Sequence, residues 1–262
     1  MAEEPLVLTQ AAGIATLTIN RPERRNAVTQ AMWQAIPDLM ARIGADPEVR
    51  AVIVRGAGEE AFASGADIAE FRTTMATSEG ALRHSVLYEA ALDSIEALPK
   101  PVVALIFGFA VGGGCGLATA CDFRVASETA KLGIPAGKLG IVYTLSSTRR
   151  LVHLVGPSRA KELLMTGRIL DAKEALEMGL VDHVRPAAEL TSFTLDLAAQ
   201  MVASAPLTLK GAKLAVRYVL EGTNQEHEEE VQRLRLQGFS SEDFKEGVRA
   251  FLEKRSPRFQ GK

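Results

Sequence analysis

The 262-residue sequence has little cysteine, little net charge and no long apolar run. Its two cysteines, Cys115 and Cys121, sit in a single segment of small residues. They read as buried thiols, not a disulfide framework, which fits a reducing, cytoplasmic setting. No Cys-x-x-Cys or His-rich spacing offers a metal site. A formal net charge of −2, without a basic stripe, gives no electrostatic reason to expect nucleic acid. No run approaches the roughly 18 apolar residues of a membrane span. The start, Met1-Ala-Glu-Glu-Pro5, is acidic and lacks the apolar centre of a signal peptide. What is present is ordinary for a globular chain with a real core: 47% apolar and 24% charged residues. The length suits one large domain, or one with a smaller appendage.

Ala15, Leu17 and Ile19 alternate with Thr16, Thr18 and Asn20, the period of a half-buried strand. Thr29 is placed to cap a helix through Met32, Ile36 and Met40, with a kink expected at Pro37. Val49 to Val54 reads as a buried strand, and Phe62-Ala-Ser-Gly-Ala-Asp67 as a loop opening a helix at Ile68. A further helix is expected over Ser78 to Leu98, ended by Pro99-Lys-Pro101. Short strands follow at Asp122 to Ala126 and Lys131 to Ile134, then a loop from Pro135 to Thr144. Beyond Gly156 the pattern is mostly helical, with one short strand at Val181 to Val184 and a capping box expected at Ser240-x-x-Asp243. The expected division is a strand-and-helix core over 1–196 and a helical region over 197–262, which must pack on the core or on another subunit.

The chain is organised around Pro101 to Asp122. Val102 to Ile106 is short and apolar enough to be a buried strand. Gly112-Gly113-Gly114 then introduces small residues with helical character. Backbone N–H groups at such a strand-to-helix step can hold an anion or a charge that develops in a reaction. The GxxxxGK[ST] phosphate loop is absent, because no Lys-Ser or Lys-Thr follows. A dinucleotide site, and with it an oxidoreductase, is disfavoured because Leu117 stands where the third glycine belongs. Ser64-Gly65-Ala66-Asp67 makes a second such turn, and two turns that each offer one N–H to one oxygen would form an oxyanion hole.

These segments, in this order, resemble the crotonase (enoyl-CoA hydratase/isomerase) superfamily over nearly the whole chain. The resemblance is carried by Asn20-Arg-Pro with Asn26-Ala27, Phe62 to Asp67, and Pro99-Lys-Pro101. Gly108 to Gly114 with Cys121-Asp122, Ala160 to Arg168, Ala172 to Val181, and Ala250 to Arg255 complete it. It implies an α/β fold, a spiral of ββα units with a C-terminal helical trimerisation region, assembled as homotrimer or homohexamer. It further implies an acyl-CoA thioester substrate, with coenzyme A part of the substrate and no separate cofactor. By position it makes the N–H groups of Ser64 and Gly113 the oxyanion hole. It sets Arg24 near the CoA phosphates, and Lys254 and Phe259 over the adenine and phosphates. Ala66, Asp67, Gly116 and Ala136 then line the substrate site.

Hydratases of this family use two glutamates for acid–base work on water. The corresponding positions here are Gly116 and Ala136, and neither can transfer a proton. An oxyanion hole alone still stabilises the enolate that forms when a malonyl-type thioester loses CO2. The turn Leu139 to Leu145 is similar to that of methylmalonyl-CoA decarboxylases, with Tyr143 at their active-site tyrosine, although Ala66 replaces their histidine. Tyr143 is the candidate to orient a carboxylate or protonate the enolate. Thr144 and Ser146 are candidate hydrogen-bonding groups, and Asp67 is expected to tie its loop together. Glu89 and Arg149-Arg150 read as surface positions. The expected activity is a lyase or isomerase step through an enolate, with a catalytically silent acyl-CoA-binding or assembly subunit as the alternative.

Overall fold

The structure is a computed structural model that describes residues 4–262. The acidic start Met1–Glu3 thus lies outside the described residues. The chain begins with β1 (Leu6–Ala11), β2 (Ile14–Ile19), α1 (Gln30–Ala45), β3 (Ala51–Gly56) and β4 (Ala61–Ala63). Next come α2 (Ile68–Thr74), α3 (Ser78–Glu96), β5 (Val102–Ile106), β6 (Phe109–Val111) and α4 (Gly113–Ala120). They are followed by β7 (Phe123–Ser127), β8 (Lys131–Gly133), α5 (Ala136–Leu139), α6 (Leu145–Thr166) and β9 (Ile169–Asp171). The chain ends with α7 (Ala172–Met178), β10 (His183–Arg185), α8 (Ala187–Val202), α9 (Pro206–Glu221), α10 (Gln225–Ser240) and α11 (Glu242–Leu252).

Six strands form one sheet in the order β1-β2-β3-β5-β7-β10, parallel except for β1. The other four form a smaller sheet, β4-β6-β8-β9, with β9 antiparallel. Each turn of the chain therefore adds one strand to the large sheet, one to the small sheet, and then helix: β3-β4-α2, β5-β6-α4, β7-β8-α5. This is the expected ββα spiral. Side-chain alternation sorts the core. Val102, Ala104 and Ile106 of β5 enter the main cluster with α1 and α3, while Val103 and Leu105 face a second cluster under α8. A strand buried on both faces must be apolar throughout, and each such side chain contributes about 1.5–3 kcal/mol.

Thr29 caps α1, accepting the Met32 N–H at 3.2 Å. The helix runs on through Pro37 unbroken from Gln30 to Ala45. A break lies in α6, where Gly156 (φ +77°) separates helical segments 145–155 and 157–166. Within the expected loop 135–144, one helical turn forms at α5. The cap of α11 is Ser241, not Ser240, and accepts the Phe244 N–H. Asp243 is buried and accepts the N–H groups of Gln260 and Gly261, folding the C-terminal segment back onto α11.

Position 196, the expected division, falls within α8, which buries Leu190, Ala198 and Met201 on the large sheet. The helical arm therefore starts after Val202. Its helices α9 to α11 form a half-open groove of about 740 Å³ lined by Leu207, Val231, Phe239, Phe244 and Phe259. Val219, Phe251 and Leu252 are exposed on the same arm. Among the described residues no helix is long and apolar enough to cross a membrane.

Candidate active site

The turn after β4 and the step from β6 into α4 meet because glycine lets them. A Cβ on Gly114 would lie 2.0 Å from the Ala63 carbonyl oxygen, so only glycine allows α4 to seat on β4. Gly65 adopts φ +107°, and a Cβ there would point 3.6 Å from the Gly113 nitrogen. Around this turn the backbone donors are already committed. The Ser64 N–H donates to the Arg25 carbonyl at 3.0 Å and the Asp67 N–H to that of Val28 at 3.1 Å. In return the Gly65 carbonyl accepts the Val28 N–H at 2.8 Å. The Ala66 N–H has no acceptor among the described residues. Gly113 opens α4, and its N–H, one of the orphan donors of a helix start, likewise has none.

Of the expected pair, the Ser64 N–H is therefore spent on the turn itself, whereas the Gly113 N–H is unengaged and the unengaged amide of the first turn is that of Ala66. Asp67 does tie its loop together. It caps α2 through the Ala69 N–H at 2.9 Å and pairs with Arg21 at 2.8 Å. The Arg21 hydrogen bond keeps its carboxyl below the usual carboxylate range.

One helical turn beyond Gly113, Gly116 is occupied by neighbours, not left as a gap. A Cβ there would lie 1.9 Å from the Tyr88 hydroxyl and 3.3 Å from that of Tyr143. The two hydroxyls are 3.2 Å apart and hydrogen-bonded. Tyr88 is buried, packed edge-on to Trp33 at 5.1 Å, and both rings flank Gly113. Burial pushes the Tyr88 phenol up to about 12 and that of Tyr143 well above its ordinary value. Both are proton-bearing at neutral pH. Tyr88 lies on the α3 face that Tyr143 meets, but helical periodicity marks it only as a core aromatic. Its position 28 residues before Gly116 gave no local signal.

Behind the phenols lies a charge cluster between α3 and α6. Glu89 is no solvated face: its Oε1 accepts from the hydroxyls of Thr144 and Ser147, the latter at 2.6 Å. Its Oε2 accepts from Arg150 Nη1 at 2.9 Å. Arg150, expected at the surface, is buried and also pairs with Asp93 and with Glu96. A buried guanidinium needs such compensation.

Of the remaining expected site residues, Arg24 ends a short 3-10 turn beside the loop, its carbonyl 3.5 Å from the Ser64 hydroxyl. Ala136 is buried at the head of α5 and brings no ionisable group. Thr144 caps α6 and spends its hydroxyl on Glu89. Lys254 and Phe259 lie in the arm. Phe259 packs by Gly247, and its carbonyl accepts from Arg50 at 2.8 Å, away from Ala66 and Gly113 of the same chain. Cys115 and Cys121 are free and buried, their thiols pushed up to about 12, which removes them as nucleophiles. Among the described residues no group of three or more His, Cys, Asp or Glu is placed to hold a metal.

The chain is thus a ββα spiral with two unengaged N–H groups at adjoining turns among the described residues. The sequence model of the enoyl-CoA hydratase/isomerase family matches residues 9–262, and the chain belongs to that family, within the crotonase superfamily. It is 38% identical over 269 residues to a crotonyl-CoA hydratase of Syntrophomonas wolfei, covering 100% of both chains. A solved enoyl-CoA hydratase/isomerase family protein from Hyphomonas neptunium superimposes with a TM-score of 0.93 at 44% identity, over 98% of this chain and 97% of that one. An enoyl-CoA hydratase from Bacillus anthracis does so with a TM-score of 0.93 at 32% identity, over 99% and 100%.

Proposed function

We propose that this chain is an acyl-CoA enzyme that generates a thioester enolate between the N–H groups of Ala66 and Gly113 and protonates it from the tyrosine pair. The observation that carries this reading is the filling of the Gly116 position by two phenol hydroxyls. With no carboxylate at 116 or 136, activation of water by paired glutamates has no residues to run on. Decarboxylation of a malonyl-type thioester needs no base. The bond between Cα and the carboxylate carbon breaks, CO2 leaves, and the electron pair forms the enolate held by the two N–H groups. A proton from the Tyr143 hydroxyl then goes to Cα, and water restores the phenol. Coenzyme A enters and leaves as part of the substrate. The exposed apolar residues of the arm support a homotrimer or homohexamer, in which Lys254 and Phe259 would cover the adenine and phosphates of coenzyme A bound to a neighbouring subunit. Light scattering on the eluted protein checks this, and a monomeric mass would overturn it.

The test is product analysis by mass with methylmalonyl-CoA and, separately, crotonyl-CoA. Propionyl-CoA and CO2 from the first alone are expected. Rapid hydration of crotonyl-CoA would sink the reading, and CoA binding without turnover of any thioester would favour a silent binding subunit. Tyr143→Phe is expected to lower kcat by about 10²-fold, the range for one positioned proton donor. A general acid is lost as pH rises through its pKa. With both phenols raised, kcat should show no tyrosine-dependent fall below about pH 10, the ordinary phenol value.

A further inference from the structure

Tyr143 sits on a turn that is anchored to the core by its own ring and by little other apolar packing. Leu139 is 64% exposed, Val142 94% and Leu145 86%, so its other large apolar residues face outward. The remaining hold is polar and converges on one side chain. Thr144, the residue after Tyr143, and Ser147, on the first turn of α6, both bond to Glu89, the residue after Tyr88. A carboxylate has no proton to offer, so both hydroxyls must donate to it. Arg150, side chain 2% exposed, grips the other carboxylate oxygen at 2.9 Å and stops Glu89 from turning toward water. The Thr144 hydroxyl in turn accepts the Ser147 N–H at 3.2 Å, so the start of α6 is tied to the same point. The immediate chain neighbours of the two phenols are thus joined by one clamp, and the 3.2 Å contact between the hydroxyls follows from it.

We infer that Glu89 is a positioning residue, whose carboxylate pins the 143–147 turn to α3 and holds the Tyr143 hydroxyl against that of Tyr88 beside Gly116. The catalytic part of this inference rests on the tyrosine pair proposed above; the clamp itself does not. Removing Glu89 leaves Arg150 paired with Asp93 and Glu96, so the buried charge keeps two partners and the fold is expected to survive.

The test compares Glu89→Ala with Glu89→Gln in the full chain. In Glu89→Ala, amide hydrogen exchange over residues 141–148 should quicken by about tenfold, while the sheet and α1 keep their protection. With methylmalonyl-CoA, kcat should fall about 10- to 100-fold with KM little changed, as expected for a misplaced reacting group. Glu89→Gln retains an acceptor for both hydroxyls but turns an NH2 donor toward Arg150 Nη1, so it should restore part of both losses. A merely structural role would lower stability without splitting kcat from KM. Parent-like exchange over 141–148 in Glu89→Ala would overturn the clamp. If the parent turns over no thioester, the tyrosine reading fails while the exchange result still decides the clamp. Ser147→Ala leaves every charge in place and should shift exchange in the same direction to a smaller degree. It carries the test if Glu89→Ala does not fold.

Discussion

Ala66→Pro is expected to lower kcat by about 10²–10³-fold, the cost of removing one donor from an oxyanion hole. Proline deletes the N–H, and at this position the fold loses no hydrogen bond, since that N–H has no acceptor among the described residues. The neighbouring bonds of the turn, from Val28 to Gly65 and from Asp67 to Val28, use other atoms. Ser64→Ala provides the contrast. It keeps its N–H on Arg25 and removes only a hydroxyl with one long contact, so turnover should match the parent. Proline at Gly113 would be less clean, because a Cβ there meets Trp33 at 3.2 Å. Trp33, the chain's single tryptophan, lies beside Gly113, and a change in its fluorescence on thioester binding is expected to separate lost chemistry from lost affinity. An Ala66→Pro variant that binds and turns over like the parent would remove this N–H from the mechanism.

The second large effect concerns Gly116. Gly116→Ala ought to gain roughly 1 kcal/mol from helix propensity. Here its Cβ would sit 1.9 Å from the Tyr88 hydroxyl, which ends a rigid ring already locked against Trp33. Overpacking of this kind costs about 1–3 kcal/mol, so a net loss of stability is expected. Tyr88→Phe removes the clashing oxygen and leaves the ring carbon at 3.0 Å, a contact that a small shift relieves. Gly116→Ala should therefore cost far less in the Tyr88→Phe background, with a coupling of about 1–3 kcal/mol in a denaturant-melt double-mutant cycle. Additive costs would contradict the packing. By the same geometry, Gly116→Glu alone cannot recreate a hydratase, because Tyr88 occupies the space its side chain needs.

Much of this was legible in the residues. The alternation in β2, the continuous apolar run of β5 and the cap at Thr29 each follow from local physical preferences, and each forms as read. The two glycine turns were visible as strand-to-helix steps. Which amide in the first turn is free was not, because Ser64 is committed by Arg25, a residue 39 positions earlier. Glu89 and Arg150 carry the charges of surface residues, and only the packing of α3 on α6 turns them inward and pairs them.

The sequence by itself determined the spiral, the family and the presence of Gly116 and Ala136, neither of which carries an ionisable side chain. Periodicity, turn chemistry and side-chain identity are local properties, readable one segment at a time. The tertiary structure alone decided what surrounds Gly116. Tyr88 and Tyr143 lie 55 residues apart and share no motif, yet α3 and the turn before α6 bring their hydroxyls together over Gly116. That contact is set by packing across the core and by one carboxylate behind it, and no window of neighbouring residues encodes it.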